Sequence, residues 1–143
     1  MAKPYLSIRV SLDDVDGEVS YELAASNGVC ATRLGFWGCR DEFARFAEEL
    51  GGFPRDSQHQ VIYKLGDDNQ GWGYHLVLRA FCVDSLGHSA LEIHTVTPDA
   101  PPRGFRCQFF LLAAPTSLNE LGEKLQAMIT AKATDIMWEP HAL

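Results

Sequence analysis

Few residues of this chain have the type and spacing that chemistry needs, and the first candidate is a thiol. In "GFWGCRDEFARFAEELGG", residues 35 to 52, a cysteine stands where a helix should begin. A helix N-terminus lowers a thiol pKa and can arm a nucleophile. From Cys39, however, the apolar residues Cys39, Phe43, Phe46, Ala47 and Leu50 fall at offsets 0, 4, 7, 8 and 11, one face of a 3.6-residue helix. That pattern puts Cys39 on a buried stripe. Burial raises a thiol pKa, and Asp41 and Glu42 beside it disfavour a thiolate. Cys39 is therefore expected to be core, and no catalytic residue is assigned.

The second candidate is a metal site in "GHSALEIHTV". His88, Glu92 and His94 share strand parity, but His88 and His94 lie about 20 Å apart along a strand and cannot share an ion. The turn "DSLG", read as three residues with Gly87 left-handed, pairs Asp84 with His88. Phe81 then faces Leu91 and Arg79 faces Ile93, so the cross-strand neighbours of Glu92 and His94 are Ala80 and Leu78, which are not ligands. No metal site and no cofactor is expected. Walker, Rossmann, HExxH and GxSxG patterns are absent.

A third candidate, the adjacent Asp67 and Asp68 in "GDDNQGWG", suits turn amides better than a shared proton. Beside Trp72 and Trp37 these acids frame a recognition surface instead, since aromatics are favoured at binding hot spots. A competing reading places a small-ligand or enzyme site in an apolar cavity between sheet and helices, lined by His75, Arg79, Glu92 and His94.

Charge narrows the partners. The net charge is −7, which disfavours phosphate backbones, so no nucleic acid is expected. Five acids, Asp13, Asp14, Asp16, Glu18 and Glu22, fall between Ser11 and Glu22 with no basic residue among them. With Asp67, Asp68 and Trp72, the acids Asp13, Asp14 and Asp16 form the expected surface for a basic protein partner. The start "MAKPYLSIRV" lacks the apolar core of a secretory signal, and no apolar run is long enough to span a bilayer. A cytoplasmic protein without a membrane partner is expected. Cysteines 30, 39, 82 and 107 have no zinc-ribbon spacing and read as reduced thiols.

The elements that must carry these residues follow from periodicity. "YLSIRVSL" alternates Leu6, Ile8, Val10 and Leu12 against polar neighbours, and "VSYELA" puts Val19, Tyr21 and Leu23 on one face. "SNG" supplies the turn before "VCATRLGFW". After the helix beginning at Cys39 come "QHQVIYKL", "YHLVLRAFCV", "HSALEIHTV" and "FRCQFFLLA". The last of these is apolar at both parities and reads as a central strand. "PTSLNELGEKLQAMI" opens a second helix with a Ser117–Glu120 capping box, burying Leu118, Leu121, Leu125, Met128 and Ile129 and leaving Asn119 wet. Consecutive strands plus two amphipathic helices imply α+β: a single mainly antiparallel β-sheet of about six to seven strands with both helices packed on it. The 143 residues fit one domain, with 131–143 either a short edge element through Ile136 and Trp138 or a loose tail.

The order of "DEFARFAEEL", "GHSALEIHTV" and "FRCQFFLLAAPTSLNELGEKLQAM" resembles bacterial WapI-like immunity proteins of polymorphic toxin systems. The matching positions are Phe43, Phe46 and Leu50, then Gly87 to Ile93, then Phe109 to Leu125. The resemblance implies a non-enzymatic protein-binding domain that neutralises a cognate toxin. It transfers no functional residue, and it leaves homo-oligomerisation open.

Overall fold

The computed structural model describes residues 3–15, 17–66, 74–99, 102–130 and 132–142, with backbone alone for 12–15. Alternating apolar residues build strands β1 (Tyr5–Val15), β2 (Glu18–Ser26) and β3 (Ala31–Gly38). Helix α1 (Ala44–Gly51) leads to β4 (Gln60–Gly66), β5 (His75–Cys82), β6 (Ser89–Val96) and β7 (Arg106–Ala113). Helix α2 (Pro115–Ile129) and β8 (Asp135–Trp138) close the chain.

The α+β class holds, but the single sheet does not. Among the described residues eight strands form two antiparallel sheets of four, ordered β3-β2-β1-β8 and β4-β5-β6-β7. The reason is area. Each strand turns one apolar parity inward, and α2, at 15 residues, is only about 22 Å long. Two such helices cannot cover eight strands, so the sheets cover each other. Leu6, Ile8, Leu23 and Leu34 of the first sheet share one core with Leu76, Leu78, Leu91 and Ile93 of the second. Where the sheets meet, the buried hydroxyls of Thr32 on β3 and Thr95 on β6 lie 2.5 Å apart.

An aromatic hub joins the layers. The Phe43 ring sits 4.6 Å from Tyr63 of β4 and 5.5 Å from Tyr21 of β2, whose ring stacks on Phe36 at 5.2 Å. The same hub ties down the segment before α1. Tyr21 donates its hydroxyl proton to the Cys39 carbonyl at 2.5 Å, while Glu42 accepts from the Cys39 amide and the Tyr63 hydroxyl, each at 3.0 Å. The Cys39 carbonyl also accepts from the Glu42 amide at 3.2 Å, so a single tight turn forms at Cys39 and the regular helix α1 begins at Ala44. Phe43, Phe46, Ala47 and Leu50 are buried as the stripe required, but Cys39 is exposed. Burial, then the Glu42 charge, pushes Tyr21 up to about 12 and raises Tyr63 as well, so both phenols remain neutral donors.

The second helix also starts differently from expectation. Pro115 takes its first turn, where a missing N–H costs nothing. Ser117 is therefore inside the helix, and it serves the C-terminal segment instead of a capping box. Its carbonyl accepts from the Trp138 indole at 2.8 Å, and its hydroxyl from the His141 amide at 3.1 Å. Asn119 is not left to solvent, for its amide donates to the Leu50 and Phe53 carbonyls at the end of α1. The helices cross where Gly122 leaves room: a Cβ there would stand 2.9 Å from the Ala47 carbonyl oxygen. Strand β8 pairs with β1, placing Ile136 and Trp138 in the core.

Phe43→Ala is expected to cost about 3–5 kcal/mol in urea unfolding, the range for an aromatic removed from a packed core; a loss below about 1 kcal/mol would contradict the hub. A thiol reagent at neutral pH should label exposed Cys30 and Cys39 ahead of Cys82 and Cys107, whose thiols burial raises. Equal rates at all four would contradict the packing.

Candidate functional site

The outward side chains of the second sheet lie in four cross-strand rows, because opposite residues of antiparallel strands share a face. At the β5–β6 turn the row is Gln60, Phe81, Ala90 and Leu112, followed by Ile62, Arg79, Glu92 and Phe110. Beyond these come Lys64, Val77, His94 and Gln108, then Gly66, His75, Val96 and Arg106.

The register differs from the sequence reading by one residue. Val83 donates its amide to the His88 carbonyl at 2.7 Å, so the loop holds four residues, 84 to 87, and Arg79 faces Glu92. Gly87, at φ +96°, supplies the left-handed turn. Asp84 is the cause. Its Oδ1 accepts from the amides of Leu86 (2.8 Å) and His88 (3.3 Å), and its Oδ2 lies 2.6 Å from His88 Nδ1. The His88 contact leads in holding the Asp84 carboxyl below its usual range.

Glu92 is buried on this face, as are Ala90 and His75 in other rows. Arg79 Nε donates to Oε1 at 2.6 Å and Gln108 Nε2 to Oε2 at 2.7 Å. Burial would raise this carboxyl, but the two hydrogen bonds and the Arg79 charge outweigh it and hold the group below the ordinary glutamate range. The Arg79 guanidinium also lies 4.2 Å from the Phe81 ring centre, a cation–π distance. Phe81 meets Phe110 edge to face, 5.9 Å apart at 78°. His75 and His94 are perpendicular at 5.5 Å, and the His75 Nδ1 lies 3.1 Å from the Leu65 carbonyl, which makes it the protonated nitrogen.

Around this lattice Phe110 is 46% exposed, Ile62 49% and Leu112 66%. Their exposure corrects the reading of β7 as a central strand. It is an edge strand, and its second apolar parity faces outward. That double apolar parity was the signal for this face in the sequence.

The structure brings together His75, Arg79, Glu92 and His94, but on an open sheet and not in a cavity. Among the described residues two hollows lie elsewhere, one along α1 at Arg45, Glu49 and Arg55, the other between β1, β8 and α2. The small-ligand or enzyme pocket is therefore corrected. Asp16, Asp67, Asp68 and Trp72 lie outside the described residues. Asp13 and Asp14 are described by backbone alone, in the last part of β1. Among the described residues no three His, Cys, Asp or Glu side chains stand close enough to hold a metal ion. No helix of the described residues is long and apolar enough to cross a membrane.

No protein-family model matches the chain, and no curated protein does. Among solved structures it is similar to the plant transcriptional regulator PBF-2, at 10% identity and TM-score 0.49, over 92% of this chain and 80% of that one. It is similar also to WHY3 from Arabidopsis thaliana, at 8% identity and TM-score 0.49, over 90% of this chain and 82% of that one. The first of these is described as a regulator of transcription. On that finding the expectations of a bacterial toxin-neutralising immunity protein, of a basic toxin as partner and of no nucleic-acid partner are withdrawn. The likeness assigns no residue a role.

The lowered Glu92 pKa fixes a pH dependence. A carboxyl lowered in the folded state adds stability above its unfolded pKa, and that stability is lost as pH falls through the folded pKa. Urea unfolding from pH 6 down to about 3 should therefore show a steeper loss for the wild type than for Glu92→Gln. Parallel profiles would contradict the Arg79–Glu92–Gln108 network.

Proposed function

We propose that the outer face of the second sheet binds single-stranded nucleic acid. The observation that carries the reading is the Phe81–Phe110 pair, with the Arg79 guanidinium over Phe81 and Phe110 open to solvent. Every base has a π-face, so exposed aromatics and stacked guanidinium planes hold unpaired bases with little regard for sequence. The bases of a duplex are stacked on one another and cannot lie on such a plane.

Local charge supports the same partner. Although the chain carries −7, the outward residues of these four strands include the cations Lys64, Arg79 and Arg106 against the carboxylate Glu92. Stacking, more than charge, supplies the affinity on so small a surplus. The salt dependence is correspondingly shallow, since each cation that meets a phosphate of a single strand adds only about −0.7 to the slope of log K against log salt. A cytosolic setting, where thiols stay reduced, suits the four free cysteines. Descent from a WapI-like ancestor is a separate proposal and contributes nothing to this one.

Fluorescence anisotropy with a labelled mixed-sequence single strand of about 12 nucleotides, and with its duplex, tests the reading at about 50 mM salt. The single strand is expected to bind and the duplex to bind at least about tenfold more weakly. Phe110→Ala should weaken single-strand binding roughly 5- to 150-fold, the worth of one stacked base. Absence of binding, or equal affinity for the duplex, would overturn it.

A further inference from the structure

We infer that Cys30 and Cys107 join in a disulfide when the protein meets a small disulfide such as oxidised glutathione, tying the β2–β3 turn of the first sheet to β7 of the second. This bridge is independent of what the outer face binds. Its basis is the corner where the sheets meet. Thr32 of β3 and Thr95 of β6 touch there through their buried hydroxyls. Cys107 lies opposite Thr95 in the β6–β7 register and shares its face. Cys30 precedes Thr32 by two residues, the step that returns to the same side of a strand. The two thiols thus flank one contact from opposite sheets. Cys107 Sγ lies 4.0 Å from the carbonyl oxygen of Ala31, the residue bonded to Cys30. The other thiols are out of range. Cys39 stands seven residues beyond Thr32, and Cys82 six residues beyond Leu76, the partner of Thr95. Each is therefore about 20 Å or more away along its strand.

The two environments divide the labour. Cys30 is exposed at the end of a turn that Asn27 holds, donating its amide to the Cys30 carbonyl at 3.0 Å and accepting the Cys30 amide on Oδ1 at 2.7 Å. It is the thiol that a dissolved disulfide reaches first. Cys107 is half-buried, and burial followed by the charge of Cys30 raises its pKa, which slows its attack on reagents from solution. Attack on a sulfur already held beside it needs no encounter. Cys30 as thiolate attacks one glutathione sulfur and expels the first glutathione thiolate. Cys107 as thiolate then attacks the Cys30 sulfur and expels the second. Two protein thiols become one disulfide, one oxidised glutathione becomes two reduced ones, and the two protons pass to the departing thiolates. In a reducing compartment the pair rests as thiols.

Incubation of the native protein with oxidised glutathione near pH 8, followed by alkylation, digestion without reduction and mass spectrometry, tests the pairing. The expected product is a monomer lighter by two hydrogens, in which the Cys30 and Cys107 peptides are linked and a reductant separates them. Cys107→Ser should leave glutathione on Cys30, and Cys30→Ser should leave Cys107 a thiol with no bridge. In denaturing urea, where the corner is gone, the preference for this pair should vanish. Glutathione persisting on Cys30 of the wild type, a bridge to Cys39 or Cys82, a dimer joined through Cys30, or the same preference in urea would overturn the pairing and leave the nucleic-acid reading as it stands.

Discussion

Asp84 folds the β5–β6 turn by accepting from the Leu86 and His88 amides while its second oxygen meets the His88 ring. That closure makes a four-residue loop and sets Arg79 opposite Glu92. In antiparallel pairing a shift of one residue exchanges the faces of a strand. Here it would drive Glu92 and His94 into the core and expel Leu91 and Ile93 from it. An unpaired carboxylate is costly to bury, so the turn and the core enforce the same register. The outer face then inherits a fixed order of aromatic, guanidinium, carboxylate and amide across three strands.

The packing behind that face explains why it is free to act. Each sheet spends its inner parity on the other, and Phe43, Tyr21 and Tyr63 fill the junction with α1. The helices pack on each other at Gly122, and Asn119 satisfies carbonyls at the end of α1. Neither helix is needed to bury the outward parity of β4 to β7. That parity keeps Ile62, Phe110 and Leu112 at the surface because none of the described residues covers them.

Much of the fold was legible because it depends on periodicity alone. Val19, Tyr21 and Leu23 on β2, the Phe46–Leu50 stripe of α1 and the Leu118–Met128 stripe of α2 are buried where alternation and the 3.6-residue step place them. The Asn27–Gly28 turn was legible too, since Asn27 caps the Val29 and Cys30 amides locally. What failed depends on partners distant in sequence. Nothing near Cys39 announces that Tyr21 and Tyr63 will occupy the turn and hold the thiol outside the helix. Gly87 permits both a three- and a four-residue loop, and the difference moved Glu92 from Ala80 to Arg79. The two apolar parities of β7 read equally well as a central strand or as an edge strand with an exposed working face. Net charge misled in another way, because it averages over a surface on which Lys64, Arg79 and Arg106 share one sheet.

The central claim is one of place: the outward parity of β4 to β7 is the surface that holds the strand. Chemical-shift mapping by NMR, with a single-stranded oligonucleotide added stepwise to labelled protein, tests it most directly. The account calls for the largest changes at Ile62, Arg79, Phe81, Phe110 and Leu112, with Arg33 and Met137 on the outside of the first sheet unmoved. Changes centred on the first sheet, or none at saturating oligonucleotide, would contradict it.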